Sequence, residues 1–264
     1  MTAAKLGLGG HSFIAELGND PQASFEEQCA IVAACLDSGV GLIDTTYYQE
    51  RVALGDVLDR LGRRDEAEIM AWNFFKRPGK EGELVGFTPY EPEHLAAMLA
   101  ELRTDRIDVL VVHVHDDEAR LRAELALAAR WVSEGRVKRV ALGMARPEHL
   151  LALPEGHPVT AVLAPYNAFY REAGELFRLA KERGIATIAL SPFVRGWRLD
   201  ELGADKDDAA DILLRWAATQ PAVDRVIVSM RRVEWVDANL RAVRSGPLSE
   251  AESARLRGWL SRGG

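Results

Sequence analysis

Eight short apolar runs, each leading into a stretch with helical periodicity, constrain this chain more than any other feature. The first is Lys5-Leu6-Gly7-Leu8, and Gly41 to Asp44 and Ile69 to Trp72 follow. The others are Ile107 to Val112, Val137 to Leu142, Val159 to Ala164, Ala186 to Leu190 and Arg225 to Val228. Ser24 with Glu27 forms a capping box for a helix that Gly39 stops. A second helix starts near Glu50 with Val52, Leu54, Val57 and Leu58 on its apolar face. Further helices are expected over 91–102, from Asp116 to Gly135, over about 172–182 and over 208–219. Two short helices close the chain, the last opened by Ser249 and Glu252. Alternation of strand and helix calls for a parallel sheet with right-handed crossovers. Eight such units, each about thirty residues long, call for closure into a (β/α)8 TIM barrel spanning 1–264 as one domain.

Composition narrows the partners. The formal net charge is −7 with acids and bases mixed along the chain, so no basic footprint for nucleic acid exists. No apolar run reaches the ~18–20 residues of a membrane span, and the first residues lack a basic-then-apolar signal. Cys29 and Cys35 lie six apart on one predicted helix, face different directions and read as free buried thiols. A soluble cytoplasmic protein acting on a small molecule is the expectation, with oligomeric state left open.

In a barrel, the strands' carboxyl ends converge on one mouth. The residues placed there are His11, Asp44 with Tyr47 and Tyr48, Asn73, His113 with His115, Tyr166 with Asn167, Ser191 and Ser229. A phenol beside a histidine and a carboxylate can protonate a carbonyl oxygen as hydride reaches its carbon. Trp72, Phe74, Phe75, Tyr166 and Trp197 favour an apolar or ring-containing substrate. The loop over 73–90, rich in aromatic, basic and glycine residues, is the expected functional loop. Gly7, Gly9 and Gly10 lack the spacing of a dinucleotide fingerprint.

Five segments taken in order resemble the aldo-keto reductase superfamily over essentially the full chain: I-D-T-T-Y-Y-Q-E-R-V-A-L-G from Ile43, L-R-T-D-R-I-D-V-L-V-V-H from Leu102, P-Y-N-A-F-Y-R-E from Pro165, S-P-F-V-R-G-W from Ser191 and L-L-R-W-A-A-T-Q-P-A-V-D-R-V-I-V-S from Leu213. The resemblance implies an Asp–Tyr–Lys–His tetrad and reduction of a carbonyl with NADP(H). Asp44 matches the aspartate and His113 the histidine that orients the carbonyl. Tyr48 is the best match for the acid, with Tyr47 as the alternative. Asn73 stands where the lysine is expected.

On the cofactor side, Tyr166 and Asn167 match the nicotinamide strand, and Ser191, Phe193, Arg195 and Gly196 match the pyrophosphate loop. Ser229, Arg231, Arg232 and Asn239 resemble the segment that grips the adenosine end, both arginines being suited to a ribose phosphate. Met144, Leu163 and Leu190 replace residues that usually hold the nicotinamide. A competing expectation is therefore a non-redox enzyme on the same barrel, a lyase, isomerase or hydrolase, with Asp44, His11, His113 and His115 able to hold a divalent metal. A non-enzymatic binding subunit is the third.

Overall fold

A computed structural model describes residues 5–18, 20–80, 82–194, 199, 202 and 205–261. Its strands are β1 (Leu6–Leu8), β2 (Leu42–Tyr47), β3 (Glu68–Phe74), β4 (Ile107–His113), β5 (Val137–Gly143), β6 (Val159–Pro165), β7 (Ala186–Leu190) and β8 (Arg225–Val228). Every neighbouring pair is parallel, and β1 pairs with both β2 and β8, so the sheet closes into a barrel in sequence order. The barrel expectation holds strand for strand.

Helices among the described residues are α1 (Phe25–Asp37), α2 (Tyr48–Leu61), α3 (His94–Glu101), α4 (Glu118–Ser133), α5 (Pro147–Leu151), α6 (Gly174–Glu182), α7 (Lys206–Ala218), α8 (Glu234–Arg244) and α9 (Glu250–Leu260). Both expected capping boxes form, at Ser24 with Glu27 and at Ser249 with Glu252. The cap of α4 is Asp117, one residue later than expected, and its carboxylate accepts from the Arg120 N–H. Asp116 instead pairs with Arg146. Helix α2 starts two residues earlier than expected, and Val52 is exposed because it lies across the helix from Leu54 and Leu58. No described helix is long and apolar enough to cross a membrane.

Strand alternation splits the core in two. Leu42, Met70, Trp72, Val109, Val111 and Leu163 belong to the cluster that fills the barrel. Their sequence neighbours Ile43, Ile69, Ala71, Leu110, Val112 and Val162 join the cluster between strands and helices. Both faces are thus apolar, as expected for a parallel sheet buried on both sides. At the amino-terminal end of the barrel, Glu68 pairs with Arg225 at 2.6 Å and also with Arg139. The opposite end carries the candidate site.

Candidate active site

The exit of β2 builds the first half of the mouth. Asp44 follows Leu42 on the inward row, is 6% exposed, and accepts the indole N–H of Trp72 at Oδ1, 2.7 Å away. Burial, then the nearby Glu50 carboxyl, pushes the Asp44 acid up to about 7, against partial relief from the Trp72 bond, His11 and Thr46. Trp72 reaches from Asp44 across to β5, where a Cβ on Gly143 would collide with its indole. A neutral indole thus occupies the inward place of β3 beside the carboxylate.

Glu50, fully buried on the first turn of α2, ties the β2–α2 junction together. Its Oε2 accepts the backbone N–H groups of Thr46 (2.5 Å) and Tyr47 (3.1 Å), and its Oε1 lies 2.7 Å from His11 Nδ1. A Cβ on Gly10 would strike this carboxyl, so the residue before His11 has to be glycine. Arg51, also fully buried, donates to the Trp72 carbonyl (2.9 Å) and the Phe74 carbonyl (3.0 Å) and pairs with Glu101. The register against β3 shifts between Thr45 and Tyr47, which sets Tyr47 opposite Phe74. The Tyr47 ring then contacts Phe74 (centroids 5.2 Å apart) and His11 (6.1 Å). Tyr48 opens α2 and is half-buried.

The exit of β4 supplies the second half. His113 lies on the inward row with Val109 and Val111, and its ring contacts Phe74 at 5.7 Å and Trp72 at 6.2 Å. Its Nδ1 sits 2.8 Å from the Val114 carbonyl, which can only accept, so the ring proton is on Nδ1. Burial holds the imidazole below its ordinary pKa, and the Val114 bond offsets this in part. Phe87, from the long β3–α3 loop, stacks on His113 with centroids 4.2 Å apart. The functional loop expected over 73–90 therefore does reach the mouth.

Asn73 does not join this group. It falls on the outward row after Trp72, is fully buried, accepts the His113 N–H at Oδ1 (3.1 Å) and donates towards Glu124 on α4 (3.4 Å). His115 also turns outward, with Nε2 2.7 Å from Glu124. Among the described residues no group of three or more His, Cys, Asp or Glu side chains is gathered as a metal site.

The expected cofactor residues divide similarly. The Tyr166 ring packs against Phe177 and Trp216 on the helix side, at 5.3 and 5.5 Å, away from the barrel axis. Asn167 is fully buried and committed to its own turn: Oδ1 accepts from Phe169 and Tyr170, and Nδ2 donates to the Ser191 carbonyl at 2.9 Å. Ser191 has φ of 56°, a left-handed residue directly after β7, and Phe193 packs among the helices. Arg231 is 6% exposed, and its guanidinium donates to the carbonyls of His11, Ile14, Ala15, Glu16 and Asp20. It clamps the 11–20 loop and has no free face for a phosphate, a correction to the paired-arginine expectation. Arg232 is exposed beside the Trp235 ring, Ser229 is exposed, and Asn239 is half-buried on α8. Arg195, Gly196 and Trp197 lie outside the described residues.

The sequence placed Trp72 at the mouth but not its indole bonded to Asp44 in the inward place of β3, and it did not mark Glu50 or Arg51 as site residues. Alternation from Met70 would have turned Trp72 inward, and the three-residue spacing from Tyr47 to Glu50 is a helix-start signal. Nothing local marks Arg51, because its partners lie on β3 and α3.

A closed parallel barrel with acids, imidazoles and a phenol at the carboxyl ends of its strands has the architecture of (β/α)8 enzymes. The profile of the aldo/keto reductase family matches residues 5–207, and the chain belongs to that family. Among curated relatives, it is 26% identical over 203 residues to aldo-keto reductase str7 of Strobilurus tenacellus, covering 74% of this chain and 57% of the relative. It is 23% identical over 184 residues to probable aldo-keto reductase 1 of Glycine max, covering 68% and 53%. The chain thus matches little more than half the length of these relatives. Aldo-keto reductase AKR11C1 from Bacillus halodurans, in its holo form, has a similar fold: TM-score 0.78, 19% identity, 97% of this chain and 91% of that one. An aldo/keto reductase from Klebsiella pneumoniae, solved with NADP and acetate, gives TM-score 0.76 at 19% identity over 98% and 92%.

Proposed function

We propose that the protein is an NADP(H)-linked oxidoreductase that reduces the carbonyl of an apolar or ring-containing small molecule. The observation that carries this reading is the mouth itself: Asp44, Tyr47 and His113 stand among Trp72, Phe74 and Phe87, which form aromatic walls for such a substrate. Membership of the family and the NADP complex of the Klebsiella pneumoniae protein support the choice of cofactor.

The residues present fit the two ends of a dinucleotide unequally. Ser229, Arg232 and Asn239 follow β8 with exposed or half-buried polar groups suited to the phosphate-bearing adenosine end. At the nicotinamide end, Gly143, Leu163 and Leu190 offer apolar packing and backbone groups, with the Trp72 indole beside Gly143. Grip on the phosphates therefore carries most of the binding. When bound, NADPH supplies the hydride.

The chain's own groups then handle orientation and the proton. Tyr47 is assigned the acid role in preference to Tyr48, because its ring is in contact with Phe74 and His11 at the mouth. His113 keeps Nδ1–H on Val114, so Nε2 is a lone-pair acceptor in the neutral ring and holds the hydroxyl of the alcohol product. Asp44 tunes the site through its buried charge, and Trp72 excludes water from it.

Titration of NADPH against tryptophan fluorescence tests the reading, since Trp72 lies at the mouth. Quenching at micromolar NADPH, weakened in NADH, is expected. No binding at millimolar cofactor would overturn the redox reading. It would favour proton-transfer chemistry without a dinucleotide, which the uncharged Trp72 beside Asp44 also suits.

A further inference from the structure

A phenol has a pKa near 10 and needs a partner to exchange protons quickly at neutral pH. No lysine stands beside Asp44 on β3, where the inward residue is Trp72. His113 sits across the mouth with Nδ1 committed to Val114. His11 is different. Its ring is in contact with Tyr47, its side chain is 23% exposed, and Nδ1 sits 2.7 Å from a carboxyl that is fully buried.

The surroundings of that carboxyl read as a built device. Glu50 Oε2 accepts two backbone N–H groups, which fixes the carboxyl in place and leaves Oε1 for His11. Gly10 makes room for it, and Arg231 holds the His11 carbonyl from behind at 3.2 Å. A buried acid bonded to Nδ1 sets the imidazole's tautomer and ring angle and leaves Nε2 as the exchanging nitrogen, the logic of a histidine oriented by a carboxylate.

We infer that His11, oriented by Glu50, is the group that exchanges protons with Tyr47 in this site, an inference resting on the oxidoreductase reading above. The Tyr47 O–H proton passes to the carbonyl oxygen as the carbonyl carbon takes its hydride, giving the alcohol and a phenolate. The Nε2–H of the His11 imidazolium reprotonates the phenolate, and the neutral imidazole then takes up a solvent proton. Each turnover thus consumes one hydride, from NADPH, and one proton, from solvent, so atoms and charge balance. The charged and titratable groups facing His11 among the described residues are Glu50 from α2, Tyr47 and Asp44 from β2, and the Arg231 guanidinium from the segment between β8 and α8, which holds the His11 carbonyl.

The test compares wild type with His11→Gln, which preserves a donor towards Glu50 but cannot titrate. NADPH binding is measured first, then the pH dependence of kcat with 4-nitrobenzaldehyde. Expected are equal NADPH affinity, a fall in kcat of roughly 10²-fold at neutral pH, and loss of one limb of the wild-type pH profile. His11→Ala, rescued in part by added imidazole, gives the same answer if the glutamine variant is poorly folded. Superposable profiles, or a lost rate with an unchanged pH limb, overturn the inference.

A long-range proton–nitrogen spectrum of the histidine rings separates this inference from the reading it rests on. It needs no turnover. The neutral ring of His11 should carry its proton on Nδ1 in wild type and lose that preference in Glu50→Gln. An Nε2–H form in wild type overturns the inference even if the enzyme reduces carbonyls. Absence of any NADPH-linked turnover in wild type defeats the oxidoreductase reading instead.

Discussion

Asp44 combines burial at the barrel mouth with a raised acid, and that pairing has a consequence for stability. Its acid rises from the usual 3.8 to about 7 because burial and Glu50 oppose its charge. Between those values the folded protein holds a proton that the unfolded chain has released, so stability falls as pH rises through that window. The full loss, about 4 kcal/mol at 1.4 kcal/mol per unit, is present above pH 7. Asp44→Asn keeps an acceptor for the Trp72 N–H and removes the charge. Denaturant unfolding should therefore show the variant more stable than wild type at pH 8, with the two converging near pH 4. A difference independent of pH would show that Asp44 is not charged at a cost in the fold. The identity of Asp44 and His113 as mouth residues was legible in the sequence. Asn73 was misplaced because both faces of a barrel strand are apolar, and strand-end position alone does not say which way a side chain points.

At the scale of elements, the segment joining β8 to α8 separates two arginines that look equivalent in sequence. Arg231 holds five carbonyls of the 11–20 loop, whereas Arg232 projects beside Trp235. Arg231→Ala should cost about 2–4 kcal/mol of stability, because buried carbonyls lose a charged donor, and it should disturb His11 with the loop. Arg232→Ala should leave the melting temperature unchanged and weaken NADPH roughly tenfold relative to NADH, about one charged contact. Thermal unfolding and cofactor titration on the two variants check both. Equal behaviour of the pair would sink the assignment. The sequence could not distinguish them, since the five partners of Arg231 lie more than two hundred residues away. Tyr166 and Asn167 pose the same problem: their motif is present, but packing against α6 and α7 and the closure of the local turn hold both away from the mouth.

For the whole molecule, the barrel was legible because each of its eight units repeats one local grammar, and closure adds nothing that the repeat count does not imply. Helix starts marked by caps were readable closely, as at Ser24 with Glu27, whereas α3 starts at His94, three residues after the expected Glu91. The site was readable only in part, since its network of Glu50, Arg51, Trp72 and Phe87 is assembled by contacts between distant elements. The fold is that of the family, and in this chain the mouth carries an uncharged indole beside its buried carboxylate. Turnover tests that account most directly: NADPH consumption and alcohol formation with a panel of aromatic aldehydes and ketones, in wild type and in Tyr47→Phe. The account predicts stoichiometric, NADPH-dependent reduction by wild type and a loss of roughly 10²-fold or more in the variant. Reduction that survives in Tyr47→Phe and disappears in Tyr48→Phe would return the acid role to Tyr48, and no NADPH-dependent reduction by wild type would contradict the account altogether.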